Sequence, residues 1–214
     1  MTKGDHVVFI VDDDVRIREA LVELLESHGI AAMTFGSAGE YVDADKPNVA
    51  ACLILDVELP DINGLDLQRQ IAESDHPPIV FITGHGDIPS SVRAIKRGAL
   101  DFLTKPFSDT DVIAAVNMAI SQDRADRADR AELAILRRRY DSLTPRERDV
   151  LPLVVSGFLN KQSAARLGIS EVTLQIHRRN VMQKMAVTSL ADLVRIAERL
   201  GIQATSRHAG GGRS

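Results

Sequence analysis

The sequence predicts an α/β domain built on a parallel sheet, followed by a smaller all-α domain. Three observations carry that expectation. Short apolar runs alternate five times with helical-period segments through the first half of the chain. Strands covered on both faces read as unbroken apolar runs, and strand–helix alternation is the pattern of a parallel sheet. The second half lacks such runs and carries short, capped, amphipathic segments instead. Charge divides at the same place: residues 1–122 hold 9 Lys/Arg against 20 Asp/Glu (−11), and residues 123–214 hold 17 against 10 (+7). An acidic half joined to a basic half points to two domains with different partners, the basic one a candidate for nucleic acid.

Composition narrows the class. At 44% apolar and 26% charged, the 214 residues have an ordinary globular make-up. One cysteine, Cys52, excludes an internal disulfide framework and fits a reducing compartment. There is no signal-peptide pattern and no apolar run long enough to span a bilayer, so a cytoplasmic location is expected. No histidine pair has zinc spacing, and Gly84-His-Gly-Asp87 reads as a mobile loop, lacking a phosphate-binding glycine fingerprint.

The elements follow in order. His6–Val11 is a β-rich run that stops at Asp12-Asp13-Asp14, and Val15–Glu26 has helical spacing. Ile30–Phe35 is a second strand, and Ser37 caps a helix that begins there. Cys52–Asp56 is the central strand, closed by Pro60 and Asn63-Gly64; Leu65–Ala72 is helical. Pro78–Thr83 is strand four, Ser90–Arg97 a helix ended by Gly98, Leu100–Thr104 strand five, and Asp109–Ile120 a further helix. Right-handed crossovers place all strand C-termini on one edge, where such sheets bind ligands. Asp12, Asp13, Asp56, Thr83 and Lys105 meet there.

That set suits a phosphorylation site. Asp56 is a carboxylate able to form an aspartyl-phosphate. Clustered carboxylates repel one another and call for a divalent cation, and hard oxygen ligands suit Mg²⁺. Lys105 would hold a phosphoryl oxygen by charge, and Thr83 would donate its hydroxyl. A different class, a phosphohydrolase with its nucleophile at Asp12-x-Asp14, stays open, although Val15-Arg16 does not continue that motif. So does a DNA-binding protein indifferent to phosphate.

Val11-Asp-Asp-Asp14, Leu55-Asp-Val-Glu-Leu-Pro-Asp-Ile-Asn-Gly64, Ile82-Thr-Gly-His-Gly86 and Phe102-Leu-Thr-Lys-Pro-Phe107 resemble the receiver domain of two-component response regulators. The resemblance covers residues 5–122 and implies the flavodoxin-like fold with strand order 2-1-3-4-5. It implies that Asp56 takes phosphate from a sensor histidine kinase. Asp12, Asp13 and Asp56 would hold Mg²⁺, with the backbone carbonyl of Glu58 as a further ligand. Thr83 and Lys105 would contact the phosphoryl group. Phe102 fills the place of the switch aromatic, and Lys105-Pro106 that of a cis peptide. Glu58 and His85 stand where the family tunes phosphate lifetime.

Ser121–Tyr140 repeats Asp-Arg-Ala, has good i,i+4 pairs, and contains neither Gly nor Pro. A charged helix continuing from the first domain is expected over 123–142. Leu133, Leu136 and Tyr140 leave both a short coiled-coil contact and a solvated spacer open. Thr144, Pro145 and Glu147 then form a capping-box start; Pro152 lies inside that helix and Gly157 ends it. Asn160–Leu167 closes at Gly168, Ser170 caps Glu171–Met185, and Ser189 caps Leu190–Leu200. Val172, Ile176 and Met185 are assigned to an inner face. Two short helices joined at a Gly turn make a helix-turn-helix, whose second helix enters the major groove.

Leu143-Thr-Pro-Arg-Glu-Arg-Asp-Val-Leu151, Ala164-Ala-Arg-Leu-Gly-Ile-Ser170 and His177-Arg-Arg-Asn180 with Lys184-Met185 resemble the LuxR-type DNA-binding domain over 143–201. With the receiver, the whole is similar to the FixJ/NarL-type transcriptional regulators. The resemblance implies that Thr173, Gln175, His177 and Arg178 face double-stranded DNA, with Lys161 and Lys184 near phosphates. Arg179, beside Arg178, is a further phosphate candidate. Ser163 stands where that family prefers an apolar residue, and Val172 where it has Arg or Lys. It further implies a homodimer when phosphorylated, formed through the face around 88–98 and 100–104. Residues 202–214 are expected to be a disordered tail.

Overall fold

The computed structural model describes residues 5–72, 75–84 and 94–203. The chain divides into two compact units, Met1–Ala128 and Asp129–Ser214.

The first unit is a parallel five-stranded sheet: β1 (His6–Val11), β2 (Ala32–Phe35), β3 (Ala50–Asp56), β4 (Ile79–Thr83) and β5 (Asp101–Thr104). Its order, β2-β1-β3-β4-β5, is the one expected. Among the described residues its helices are α1 (Val15–Ser27), α2 (Ala38–Asp43), α3 (Gly64–Ile71) and the first part of α4 (Asp109–Asp141), whose residues from Asp129 on belong to the second unit. Every residue of β3 is buried, and the two-residue strand period sends alternate side chains into two separate cores. Ala51, Leu53 and Leu55 join Phe9, Phe81, Tyr41 and Leu67 on the face under α2 and α3. Ala50, Cys52 and Ile54 join Ile10, Leu21, Leu25, Val112 and Val116 on the face under α1 and α4. Cys52 is fully buried there, and burial pushes its thiol well above the ordinary range.

Past Gly84, the loop Gly84-His-Gly-Asp87, with His85, and most of the helix expected over Ser90–Arg97 lie outside the described residues. Residues 94–96 are helical, and Gly98 turns the chain at φ 91°.

The repeated Asp-Arg-Ala segment is the middle of the continuous helix α4. Its Asp123–Arg127 pair forms at 2.6 Å, but Asp123 is buried, not solvated. Its second partner is the amide of Ala51 at the start of β3, 2.8 Å away. Further along, Leu136 is buried and Leu133 and Tyr140 half-buried within this chain, so a freely solvated spacer does not describe this stretch.

In the second unit α5 (Pro145–Val155), α6 (Asn160–Leu167), α7 (Glu171–Lys184) and α8 (Leu190–Arg199) surround a core of Leu143, Val150, Leu151, Val154, Ala164, Leu174, Val181, Met185 and Leu193. The capping box at Thr144 and Glu147 is complete. Gly168 takes the left-handed conformation, φ 66°, that ends α6 and lets Ser170 start α7. Ser163 is buried, at the position where an apolar residue was expected. The expected inner face of α7 needs one correction. Met185 is buried, but Val172 is 68% and Ile176 56% exposed. At 100° per residue the pair lies about 160° from Leu174, the residue that actually faces inward. Arg199 of α8 pairs with Glu132 at 2.8 Å. Among the described residues no helix is long and apolar enough to cross a membrane.

Candidate functional site

Strand register builds the acidic pocket. Val11 pairs with Leu55, so Asp12 and Asp56 are the next residues on adjacent strands, with the same side-chain parity as Ile10 and Ile54. Asp56 in turn pairs with Ile82, one residue before Thr83, and Thr83 pairs with Thr104, one residue before Lys105. Carboxylate oxygens of Asp12, Asp13 and Asp56 all lie within 4.8 Å of one another. Asp12 and Asp56 are buried and Asp13 is exposed. The Lys105 ammonium bridges the buried two, 2.7 Å from Asp12 Oδ2 and 2.6 Å from Asp56 Oδ2. The Lys105-Pro106 peptide is cis.

The electrostatics are short of positive charge. Three carboxylates face one ammonium. Burial alone would lower the Lys105 pKa, but its bonds to Asp12 and Asp56 outweigh it and raise it. Burial pushes the Asp12 carboxyl above its ordinary value, with the Asp56 charge adding to it, against the bonds from Lys105 and the Asp14 amide. A buried carboxylate still raised beside a lysine favours additional cationic charge. An oxygen-rich, partly exposed donor set of this kind fits a hard divalent ion.

The loops are held by the backbone. Glu58 N donates to Asp56 Oδ1 at 3.1 Å, and Val57 N to Ile82 O at 3.1 Å. Gly64 closes the loop beyond Asp56: a Cβ there would lie 2.2 Å from the Asp56 carbonyl oxygen. Asp61 accepts from the amides of Ala38 and Gly39, tying this loop to the start of α2. Thr83 is buried, and its carbonyl accepts from Lys105 N at 2.7 Å. Phe102 is half-buried, its ring 6.2 Å from that of Phe81. Asp14 stands apart from the pocket chemistry: it caps α1 through Arg16 N and pairs with the Arg16 side chain. An Asp12-x-Asp14 catalytic pair therefore has no geometric basis.

The sequence reading missed Arg18, Gly64 and Asp61. Arg18 Nη1 donates to the carbonyls of Asp12 at 2.5 Å and Asp13 at 3.0 Å. Its helical position one turn past the Asp14 cap was the available signal.

The second unit presents a mixed surface on α7. Gln175 and Arg179 are exposed, with Val172 and Ile176 among them, and Lys161 is exposed on α6. Thr173 is half-buried, its hydroxyl 2.8 Å from that of Ser170. Arg178 is half-buried and donates to Asn160 Oδ1 at 3.1 Å, which links α7 to α6. His177 is half-buried, with Nδ1 inaccessible and lacking a hydrogen-bond partner. Lys184 binds inward: its ammonium lies 2.6 Å from the buried Glu147 carboxylate. Burial opposes the Glu147 charge, but the bonds from Lys184 and Thr144 prevail and push that carboxyl down to about 2.

Two family models match the chain: "Response regulator receiver domain" over residues 8–117 and "Bacterial regulatory proteins, luxR family" over residues 141–197. The chain is 48% identical over 199 residues to Nodulation protein W of Bradyrhizobium diazoefficiens, covering 92% of this chain and 88% of that protein. It is 45% identical over 201 residues to the response regulator protein TmoT of Ectopseudomonas mendocina, covering 94% and 91%. The solved structure of the response regulator StyR matches with a TM-score of 0.80 at 45% identity, over 91% of this chain and 98% of that one. Full-length FixJ from B. japonicum matches at 0.56 and 38% identity, over 94% and 99%.

Proposed function

Because the chain belongs to the two-component response regulators that join a receiver domain to a LuxR-type DNA-binding domain, we propose that Asp56 is the phosphoacceptor through which a sensor histidine kinase controls DNA binding. The family is one of transcriptional regulators, not classical enzymes. The only chemistry assigned to the chain is its own phosphorylation and dephosphorylation. An Asp56 oxygen attacks the phosphorus of a phosphohistidine; the new O–P bond forms as the P–N bond breaks and the imidazole leaves. Lys105, already beside Asp56 Oδ2, follows the phosphoryl oxygens as they arrive. Thr83 donates its hydroxyl to the attached group. Asp12, Asp13, Asp56 and the Glu58 carbonyl would hold Mg²⁺. When bound, that ion neutralises charge on the phosphoryl oxygens. The observation that carries this reading is three converging carboxylates with one ammonium bridging two of them.

Phosphorylation draws Thr83 toward Asp56, and Phe102 turns into the space vacated. Phe102 has no hydroxyl, so this switch rests on packing against Phe81. The receiver spans 5–122, the helical linker 123–142 and the DNA-binding domain 143–201, all in the cytoplasm. Phosphorylated chains dimerise and set two α7 helices on one operator. Thr173, Gln175, His177, Arg178 and Arg179 face the duplex, and Lys161 contacts phosphate. Lys184 reaches phosphate only by giving up Glu147. The exposed methyl groups of Val172 and Ile176 suit thymine methyls in the major groove.

The test is DNA binding with and without a phosphoryl donor and Mg²⁺, using sites selected from a random duplex library. Phosphorylation raises the affinity of the wild-type chain at least tenfold, about 1.4 kcal/mol. Asp56→Asn shows no response. Equal affinity for both, donor or not, removes the switch.

A further inference from the structure

We propose that Arg18 is a positioning residue of the acidic pocket: it clamps the backbone of Asp12 and Asp13 so that their carboxylates face a divalent cation. The inference rests on the Mg²⁺ reading above and assigns part of that affinity to a side chain that touches no carboxylate of the pocket.

The need for a clamp follows from the backbone. The hydrogen-bond ladder of α1 begins at the Asp14 carbonyl, which accepts from Ile17 N at 3.1 Å and Arg18 N at 3.2 Å. The carbonyls of Asp12 and Asp13 precede that ladder. Arg18 supplies their partner by reaching back along the helix, Nη1 lying 2.5 Å from one and 3.0 Å from the other. The side chain of Asp12 is fixed independently, by the Asp14 amide on Oδ1 at 2.8 Å and Lys105 on Oδ2 at 2.7 Å. Asp13 is exposed, and the clamp on its carbonyl fixes the backbone from which its carboxylate projects. The side chain of Arg18 is half-buried, beside the turn after β2.

Bonding carbonyls rather than carboxylates matters chemically. An arginine on the carboxylates would compete with the cation for the same oxygens. On the carbonyls it holds the loop and leaves those oxygens available. Partners of this outer kind orient metal ligands, and their loss costs about 10–100-fold in affinity.

The sign of the effect separates this role from simple charge. By Coulomb's law, removing a cationic guanidinium beside a cation site tightens Mg²⁺ binding. By loss of positioning it weakens it. Calorimetric Mg²⁺ titration of the full chain therefore decides the matter, with wild type, Arg18→Ala, Arg18→Gln, Arg18→Lys and Arg16→Ala compared. Arg16 lies on the same helix turn, and among the described residues its side chain pairs only with Asp14, so its removal subtracts a charge and leaves the carbonyls of Asp12 and Asp13 clamped. Expected is about tenfold weaker binding for Arg18→Ala, a smaller loss for Arg18→Lys, and no weakening for Arg16→Ala. Metal-free thermal melts of the variants, followed by circular dichroism, show that the weakened chains remain folded. If Arg18→Ala does not fold, Arg18→Gln and Arg18→Lys carry the comparison. Equal or tighter Mg²⁺ binding by folded Arg18 variants overturns the proposal, as does an equal loss in Arg16→Ala. A folded wild type that binds no Mg²⁺ overturns the cation reading itself.

Discussion

A single missing methyl group governs the loop around the acceptor. Gly64 lies so close to the Asp56 carbonyl oxygen that an added Cβ would stand 2.2 Å away, and the obstacle is backbone with nowhere to swing. Gly64→Ala is expected to cost about 1–3 kcal/mol in urea unfolding, the range of overpacking. It also slows phosphorylation by acetyl phosphate, read on phosphate-affinity gels, because Asp56 must shift. Glu147 makes a pH-dependent contribution in the second unit. Its folded-state pKa is about 2 against an ordinary 4.5, so it stabilises the fold above 4.5 and loses that contribution as pH falls toward 2. The shift corresponds to about 3 kcal/mol at most. Amide exchange over residues 145–155 should show Glu147→Gln opening far more often than wild type near neutral pH. The two should converge as the pH falls below 4.5. The meeting of the pocket side chains was legible because Asp56 and Thr83 end strands and Asp12 and Lys105 each directly follow one. Gly64 read only as a turn former, since its close contact is with a carbonyl eight residues earlier in the chain.

At the scale of elements, buried strands declare themselves and helix faces do not. β3 is apolar on both sides because both sides are covered, so its sequence allows little else. α7 carries apolar residues on two faces, and grouping Val172 and Ile176 with Met185 chose the wrong one. Leu174, Val181 and Met185 share the inward stripe; the other pair is exposed. α4 hid its anchor in a different way. The repeated Asp-Arg-Ala motif reads as surface pairing, yet Asp123 is buried and satisfies an amide 72 residues away, a separation no local pattern reveals. Asp123→Ala leaves the Ala51 amide and Arg127 without that carboxylate. The expected loss is about 1–3 kcal/mol, measured as a drop in the melting midpoint of the receiver unit. Asp123→Asn, which retains an acceptor, should lose less.

For the whole molecule, the division of charge is the feature that survives from composition to fold. The acidic unit gathers three of its carboxylates into one pocket, and the basic unit carries a helix-turn-helix. Strand order was legible only through the family resemblance, since right-handed crossovers fix the common edge of the strand ends and not their order. The proposed coupling between the units predicts a change in assembly. Light scattering behind a size-exclusion column should give a monomer alone and a dimer with beryllofluoride and Mg²⁺, and Asp56→Asn should stay monomeric in both. A dimer that forms equally without beryllofluoride would contradict that coupling. Cys52 offers a practical route to following it. The chain's one sulfhydryl is sealed between β-layer and helices, and its raised pKa keeps it from the reactive thiolate form. A cysteine introduced at exposed position 198 of α8, which is not among the residues assigned to the duplex, would therefore be labelled by maleimide essentially alone. A dye attached there would report arrival at an operator in real time, with no need to remove the native thiol first.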